Sequence, residues 1–282
     1  MHRSRCNEGL HSSISLDYEN LEFLAAGKSG IVYGIDEEKV LKEYYGEEEI
    51  NVERRAFERL GSHANIVKYL GAAAKNSIFL ERGQPLRTIN QQIGADQIPF
   101  EKKLCWLRGA ADGLRHMHQN GIIHADVGCN NMIVIQGCLK IIDFEGCSID
   151  GEKATSCYEW FSYQESTPKI SQRTDIFAYG CAVYEIMTGR PPHQELAASA
   201  NRRRLAERLY AENQFPEVTD LPLGELMQGC WHGAFNSMDE VLQALEMASL
   251  PTASWVDAGH TAFGLLGLMA KLFGAFRAWS DA

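Results

Sequence analysis

Between His124 and Gly146 the chain sets three oxygen-donor side chains at fixed intervals among apolar, strand-like residues. Asp126 is followed five residues later by Asn131, and Asp143 comes twelve residues after that, closing the run Leu139-Lys140-Ile141-Ile142. Asp and Asn are common turn residues, but three of them at these intervals, flanked by strands, are more than turn chemistry needs. Two carboxylates and an amide are the groups a magnesium-assisted phosphoryl transfer uses. Asp126 would take the proton of an attacking hydroxyl, and Asn131 and Asp143 would hold metal against nucleotide phosphates.

The surrounding pattern divides into a strand-rich part and a helical part. Leu21–Ala25, Ile31–Ile35 and Val40–Tyr44 read as strands, and residues 47–60 read as an amphipathic helix with Ile50, Val52, Ala56, Phe57 and Leu60 among charges. Ile66–Leu70 and Ser77–Leu80 read as two more strands. After Gly83 the pattern becomes helical, with Phe100–Asn120 stopped by Gly121 and Ile176–Thr188 apolar on nearly every face. Strands first and helices later, joined at Glu81-Arg82-Gly83, predict two lobes with a cleft between them.

Lys42 lies in a largely apolar strand, where an inward lysine needs an anion to meet it. Glu53 is the best partner on the helix, because it shares a face with Phe57 and Leu60; Glu58 competes. Gly27 and Gly30 sit in the turn between the first two strands. Gly27-Lys28-Ser29 does not make a Walker loop, since residue 22 is Glu and a strand follows rather than a helix.

Taken together, these residues resemble the eukaryotic protein kinase superfamily. The Thr174-Asp175-Ile176-Phe177-Ala178-Tyr179-Gly180 run, Thr188–Pro192 and Gly229-Cys230-Trp231 extend the resemblance over about residues 20–248, closest to its tyrosine-kinase-like branch and to small single-domain kinases of filamentous fungi. The resemblance implies an α+β bilobal fold, with a small antiparallel sheet and one helix over 20–82 and a mainly helical lobe over 84–250. It implies ATP and Mg2+ as cofactors, Asp126 and Lys42 as catalytic residues, and Asn131 and Asp143 as metal ligands. Nucleotide contacts fall on Gly27, Gly30, Val32, Val40, Lys42, Glu53 and Ile133, with backbone groups near Glu81 and Arg82 and with Leu80 limiting pocket depth. His124, Phe144, Phe57 and Tyr69 would form a packed column aligning the lobes, and Asp175 would brace the backbone of the catalytic loop.

The chain also departs from the family pattern. Ala25 replaces the first glycine of the nucleotide turn, and Ala125 replaces the Arg that receives an activation-loop phosphate. Gly128 stands where serine/threonine kinases carry a Lys, and Asn130 does not supply the Arg of tyrosine kinases. One missing charged stabiliser costs on the order of 10²-fold in rate. Glu145 occupies the glycine of the metal-loop triplet, adding an acid near the metal and restricting backbone switching. Glu165 lacks its usual Arg partner between His232 and Met238.

The net charge of -10 argues against a nucleic-acid-binding surface. Arg202-Arg203-Arg204 reads as the solvated face of a helix, or as a docking patch for acidic partners. Eight cysteines without metal or C-x-x-C spacing read as free thiols of a reducing cytoplasm. Residues 1–19 read as a mobile polar arm, and residues 251–282 as a separate tail. Within the tail, 262–279 is apolar with Lys271 and Arg277. It reads as a helix docked on the large lobe or on another chain, with an interfacial membrane helix second and a tail anchor third. The expected activity is transfer of the ATP γ-phosphoryl group to a protein hydroxyl, serine or threonine ahead of tyrosine, on an unidentified substrate. A nucleotide-binding scaffold without turnover and a small-molecule phosphotransferase are the alternatives.

Overall fold

The computed structural model describes residues 21–248. The N-terminal arm, and with it the tail 251–282 and its apolar stretch 262–279, lies outside the described residues. Among the described residues, no helix is long and apolar enough to cross a membrane.

Five strands make the small lobe: β1 (Glu22–Ala26), β2 (Gly30–Gly34), β3 (Lys39–Tyr44), β4 (Tyr69–Ala74) and β5 (Ser77–Glu81). They pair antiparallel throughout, in the order β1-β2-β3-β5-β4. Helix α1 (Glu47–Leu60) connects β3 to β4. Its buried residues, Ile50, Glu53, Ala56, Phe57 and Leu60, recur at helical spacing and make one inward face. Glu47, Glu48 and Glu49 fill its first turn, where the helix dipole favours negative charge.

Gly30 opens β2 because β3 runs too close for a side chain. A Cβ there would lie 2.1 Å from the Glu43 carbonyl oxygen. At Gly27 a Cβ would meet nothing within 4 Å, so this glycine is not demanded by packing.

The fourth strand is displaced from its predicted place at Ile66–Leu70 and begins at Tyr69. Ile66 and Val67 are spent on the other lobe: Ile66 bridges Ile141 in parallel, and the Val67 N–H donates to the Ile141 carbonyl at 3.0 Å. Both side chains are buried, which explains their apolar character without a strand.

At the junction, β6 (Gln84–Pro85) leads into α2 (Leu86–Ile93) and then α3 (Phe100–Gln119). α3 stops at Gly121, whose φ of 71° is the left-handed turn that glycine accepts readily. Short strands β7 (Ile122–Ile123), β8 (Met132–Ile135), β9 (Cys138–Ile141) and β10 (Ser148–Ile149) follow, with β6-β8-β9 in one sheet and β7-β10 in another. Helices α4 (Gln172–Thr188), α5 (Arg202–Ala211), α6 (Gly224–Trp231) and α7 (Met238–Ala248) complete the large lobe. α4 begins earlier than its apolar run, because Ser171 and Thr174 form a reciprocal capping box. From Thr174 to Ile186 it is buried without a break, as its all-round apolar character requires.

Candidate active site

Lys42 projects from β3 into the cleft and is almost fully buried. Its ammonium lies 2.8 Å from Glu53 Oε2, 2.5 Å from Asp143 Oδ1 and 2.8 Å from Glu145 Oε2. Burial alone would strip the charge from Lys42, but the three carboxylates overcome it and hold its pKa well above the ordinary lysine value. Glu58 is exposed, so helix phase selects Glu53 as the partner. Glu53 has no exposure of its own and also receives the Tyr44 hydroxyl and, at 3.1 Å, the Phe144 N–H. It therefore joins helix α1, strand β3 and the loop after β9.

Asp143 adopts a left-handed backbone, with φ 72°, as does Ala125, with φ 66°. Asp tolerates this region better than most residues, and in both places the strained residue lies beside the candidate chemistry. Asn131 donates to the Asp126 carbonyl at 2.8 Å and to its carboxylate at 3.0 Å, which fixes the Asp126 rotamer. Burial pushes the Asp126 carboxyl up to about 6, against the lowering effects of His124 and of the Asn131 hydrogen bond. Oxygen atoms of Glu53, Asp143 and Glu145 lie within 4.8 Å of one another. These carboxylates and the Asn131 amide are hard oxygen donors of the kind that suit magnesium.

Asp175, at the start of α4, is fully buried and braces this loop from below. It accepts from the His124 N–H at 2.9 Å, the Ala125 N–H at 3.1 Å, His118 Nε2 at 2.9 Å and the Tyr158 hydroxyl at 2.6 Å. Burial opposes its charge, but the hydrogen bond from His118 and the other donors hold its carboxyl below the usual range.

Residues 38–240 match the family of protein tyrosine and serine/threonine kinases. The chain belongs to this family. Among its relatives, human mitogen-activated protein kinase kinase kinase 6 is 31% identical over 228 residues, which cover 68% of this chain and 17% of that protein. The serine/threonine-protein kinase STY17 of Arabidopsis thaliana is 24% identical over 182 residues, 60% of this chain and 31% of that protein. The mouse dual specificity protein kinase TTK is 27% identical over 152 residues, 47% of this chain and 18% of that protein. The matched region thus spans less than a third of each of these relatives.

Within this kinase domain the aromatic column is continuous. Tyr69 stacks on Phe57 at 5.4 Å, Phe57 meets Phe144 edge-on at 5.2 Å, and Phe144 meets His124 at 5.8 Å. His124 Nε2 also lies 3.0 Å from the Ile142 carbonyl, so its ring is a packing and hydrogen-bonding residue. Phe57→Ala removes the middle of the column. It should cost about 3–5 kcal/mol, read as a lowered urea midpoint, with an equal or larger proportional loss of any phosphotransfer.

The candidate nucleotide face is assembled from both lobes. Val40 pairs with Leu80 across β3 and β5, and both are buried. Val32 is half-buried on β2, and Ile133 packs beneath Gly83, where a Cβ would come within 3.0 Å of its Cδ1. At Glu81 and Arg82 the backbone amides already have partners. The Glu81 N–H donates to the Lys68 carbonyl at 3.1 Å and the Arg82 N–H to the Glu38 carbonyl at 2.8 Å. Both amides are engaged inside the small lobe, and the next amide along the junction is that of Gly83.

Several departures from the kinase pattern acquire partners that no local signal announced. A Cβ at Gly128 would lie 2.9 Å from Glu159 Oε2, so the place of the missing lysine is covered by a carboxylate. Asn130 donates to Glu159 at 3.0 Å, and Arg87 of α2 grips it at 2.8 and 2.7 Å. Arg87 reaches Glu185 at 2.5 and 2.7 Å as well. Glu185 was the available clue, since an acid buried in an otherwise apolar helix requires a cation. Glu165 and Arg173, the latter in the first turn of α4, line one cavity of about 230 Å³.

The basic run on α5 is not wholly a solvated face. Arg203 donates to the Tyr158 carbonyl at 2.6 Å, and Arg202 lies over the Trp160 ring. Helix α1 is tied to the segment after β10 by Arg55–Glu152 and Arg59–Asp150, each at 2.6 Å. These exposed pairs are screened by solvent and contribute little to stability.

Proposed function

We propose that the chain is an active protein kinase that moves the γ-phosphoryl group of ATP to a serine or threonine hydroxyl of a protein. The observation that carries this reading is the Lys42–Glu53 pair, made at the same time as the Lys42–Asp143 contact. A phosphate-binding lysine held this way is already aimed at the place where nucleotide phosphates would lie. The relatives named serine/threonine-protein kinase favour the hydroxyl class.

In this mechanism Lys42 orients the phosphates and Glu53 orients Lys42. Asn131 and Asp143 would hold magnesium, which neutralises the charge that develops on the transferring group. Asp126, locked by Asn131, positions the attacking hydroxyl and takes its proton. Incubating the chain with ATP and Mg2+, followed by mass spectrometry of residues 148–167, tests the reading. Phosphoserine or phosphothreonine that disappears in Asp143→Asn supports it. No incorporation into the chain or into a broad peptide library, with nucleotide still bound, favours the scaffold reading. The Glu159 carboxylate over Gly128 is the feature that speaks for that second reading.

A further inference from the structure

Glu145 stands where the family has glycine, and the structure shows what the acid reaches. It is not among the residues with positive φ, so a side chain is accommodated there without backbone strain. The crowded glycine is the next one: a Cβ at Gly146 would meet Ser156 Oγ at 1.9 Å. The Glu145 side chain is 14% exposed and spans the cleft. One oxygen accepts a hydrogen bond from the Ser29 hydroxyl in the glycine-containing turn between β1 and β2. The other lies 2.8 Å from the Lys42 ammonium, yet makes no hydrogen bond of good geometry.

Lys42 is therefore enclosed by three carboxylates, and their contacts differ. Glu53 is anchored by the Tyr44 hydroxyl and the Phe144 amide as well as by Lys42, and Asp143 hydrogen-bonds the ammonium directly. Glu145 meets Lys42 through one oxygen and the turn through one hydroxyl. Of the three anions it is the one that lies between Lys42 and the glycine-containing turn.

We propose that Glu145 is an internal stand-in for nucleotide phosphate, bridging Lys42 and Ser29 across the cleft until a metal-bound nucleotide takes its place on Lys42. This rests on the nucleotide-binding reading above and deepens it. Three carboxylates around one ammonium leave an excess of negative charge, and a metal-free nucleotide would add to it at close range. Divalent cation thus becomes a requirement for binding nucleotide as well as for chemistry, because it compensates the charge that Glu145 contributes.

The test is the affinity of the full chain for a fluorescent ADP derivative, measured in excess Mg2+ and in EDTA. Wild type, Glu145→Gln, Glu145→Gly and Ser29→Ala are compared, with thermal unfolding as the check on folding. In Glu145→Gln and Glu145→Gly, binding in EDTA should tighten about tenfold, narrowing the difference between the two conditions. Ser29→Ala, which keeps the Lys42 contact, should leave that difference close to wild type. Equal affinities in wild type and both Glu145 variants, under both conditions, would overturn the role of Glu145 while leaving nucleotide binding intact. Absence of binding in every variant, with Mg2+ present and the chain folded, would remove the nucleotide reading and this one with it.

Discussion

Asp126→Asn should lower phosphotransfer by about 10²–10⁴-fold, the range for loss of a positioned general base, while leaving the fold intact. The substitution keeps the size of the side chain and an oxygen for the Asn131 amide, which now donates to the carboxylate at 3.0 Å. It removes the proton acceptor. Its effect on stability follows from the raised carboxyl, pushed up to about 6 by burial. An acid whose folded pKa lies above its unfolded value is held less favourably as pH rises through that interval, so at neutral pH the charge is a liability to the fold. The Asn variant should therefore unfold at the same temperature as wild type or slightly higher. Calorimetry beside a single-turnover assay checks both halves. An inactive variant that is also strongly destabilised would mean that Asp126 is structural.

The second large effect belongs to a residue that touches no substrate. Asp175→Ala should destabilise the chain by about 3–5 kcal/mol, the cost of deleting one partner from a buried, charge-assisted network. It leaves the His124 and Ala125 amides, the His118 ring and the Tyr158 hydroxyl without their shared acceptor. For a domain of this size that corresponds to roughly 10 °C in the unfolding temperature. The catalytic loop should loosen before the domain melts, seen as faster amide exchange at residues 124 and 125. The pH dependence supplies a second readout. The folded carboxyl is held below its ordinary value, so its stabilisation is complete above the unfolded pKa of about 4 and is lost as pH falls through the lower, folded value. Asp175→Asn should flatten this acid limb of the stability curve. An unchanged limb would assign the acid sensitivity to other carboxylates.

Much of the arrangement could be read without coordinates, for a local reason. Alternation along 39–44 turns Lys42 toward the interior, and the apolar stripe of 47–60 places Glu53 beside Phe57. Both depend only on the periods of strand and helix. Where the apolar pattern is ambiguous, period alone starts the fourth strand too early. Ile66 and Val67 are apolar because they pack against Ile141 of the other lobe, and period alone does not separate such a contact from a strand. The engagement of the Glu81 and Arg82 amides has no local signal, since their acceptors, on Lys68 and Glu38, are distant in the chain.

The sequence alone determined the chemical inventory: an inward lysine, its helix glutamate, and the Asp126, Asn131 and Asp143 set at kinase spacing. These follow from residue type and from distances along one stretch of chain. The tertiary structure decided the partners. It put Glu145 on Lys42 and Ser29, covered Gly128 with Glu159, and gave Arg87 to Glu159 and Glu185. Each of these pairs joins groups far apart in the chain, and their meeting depends on how the lobes and helices pack. Spacing therefore names the reaction family of residues 124–146, while packing determines which charges surround the reacting groups.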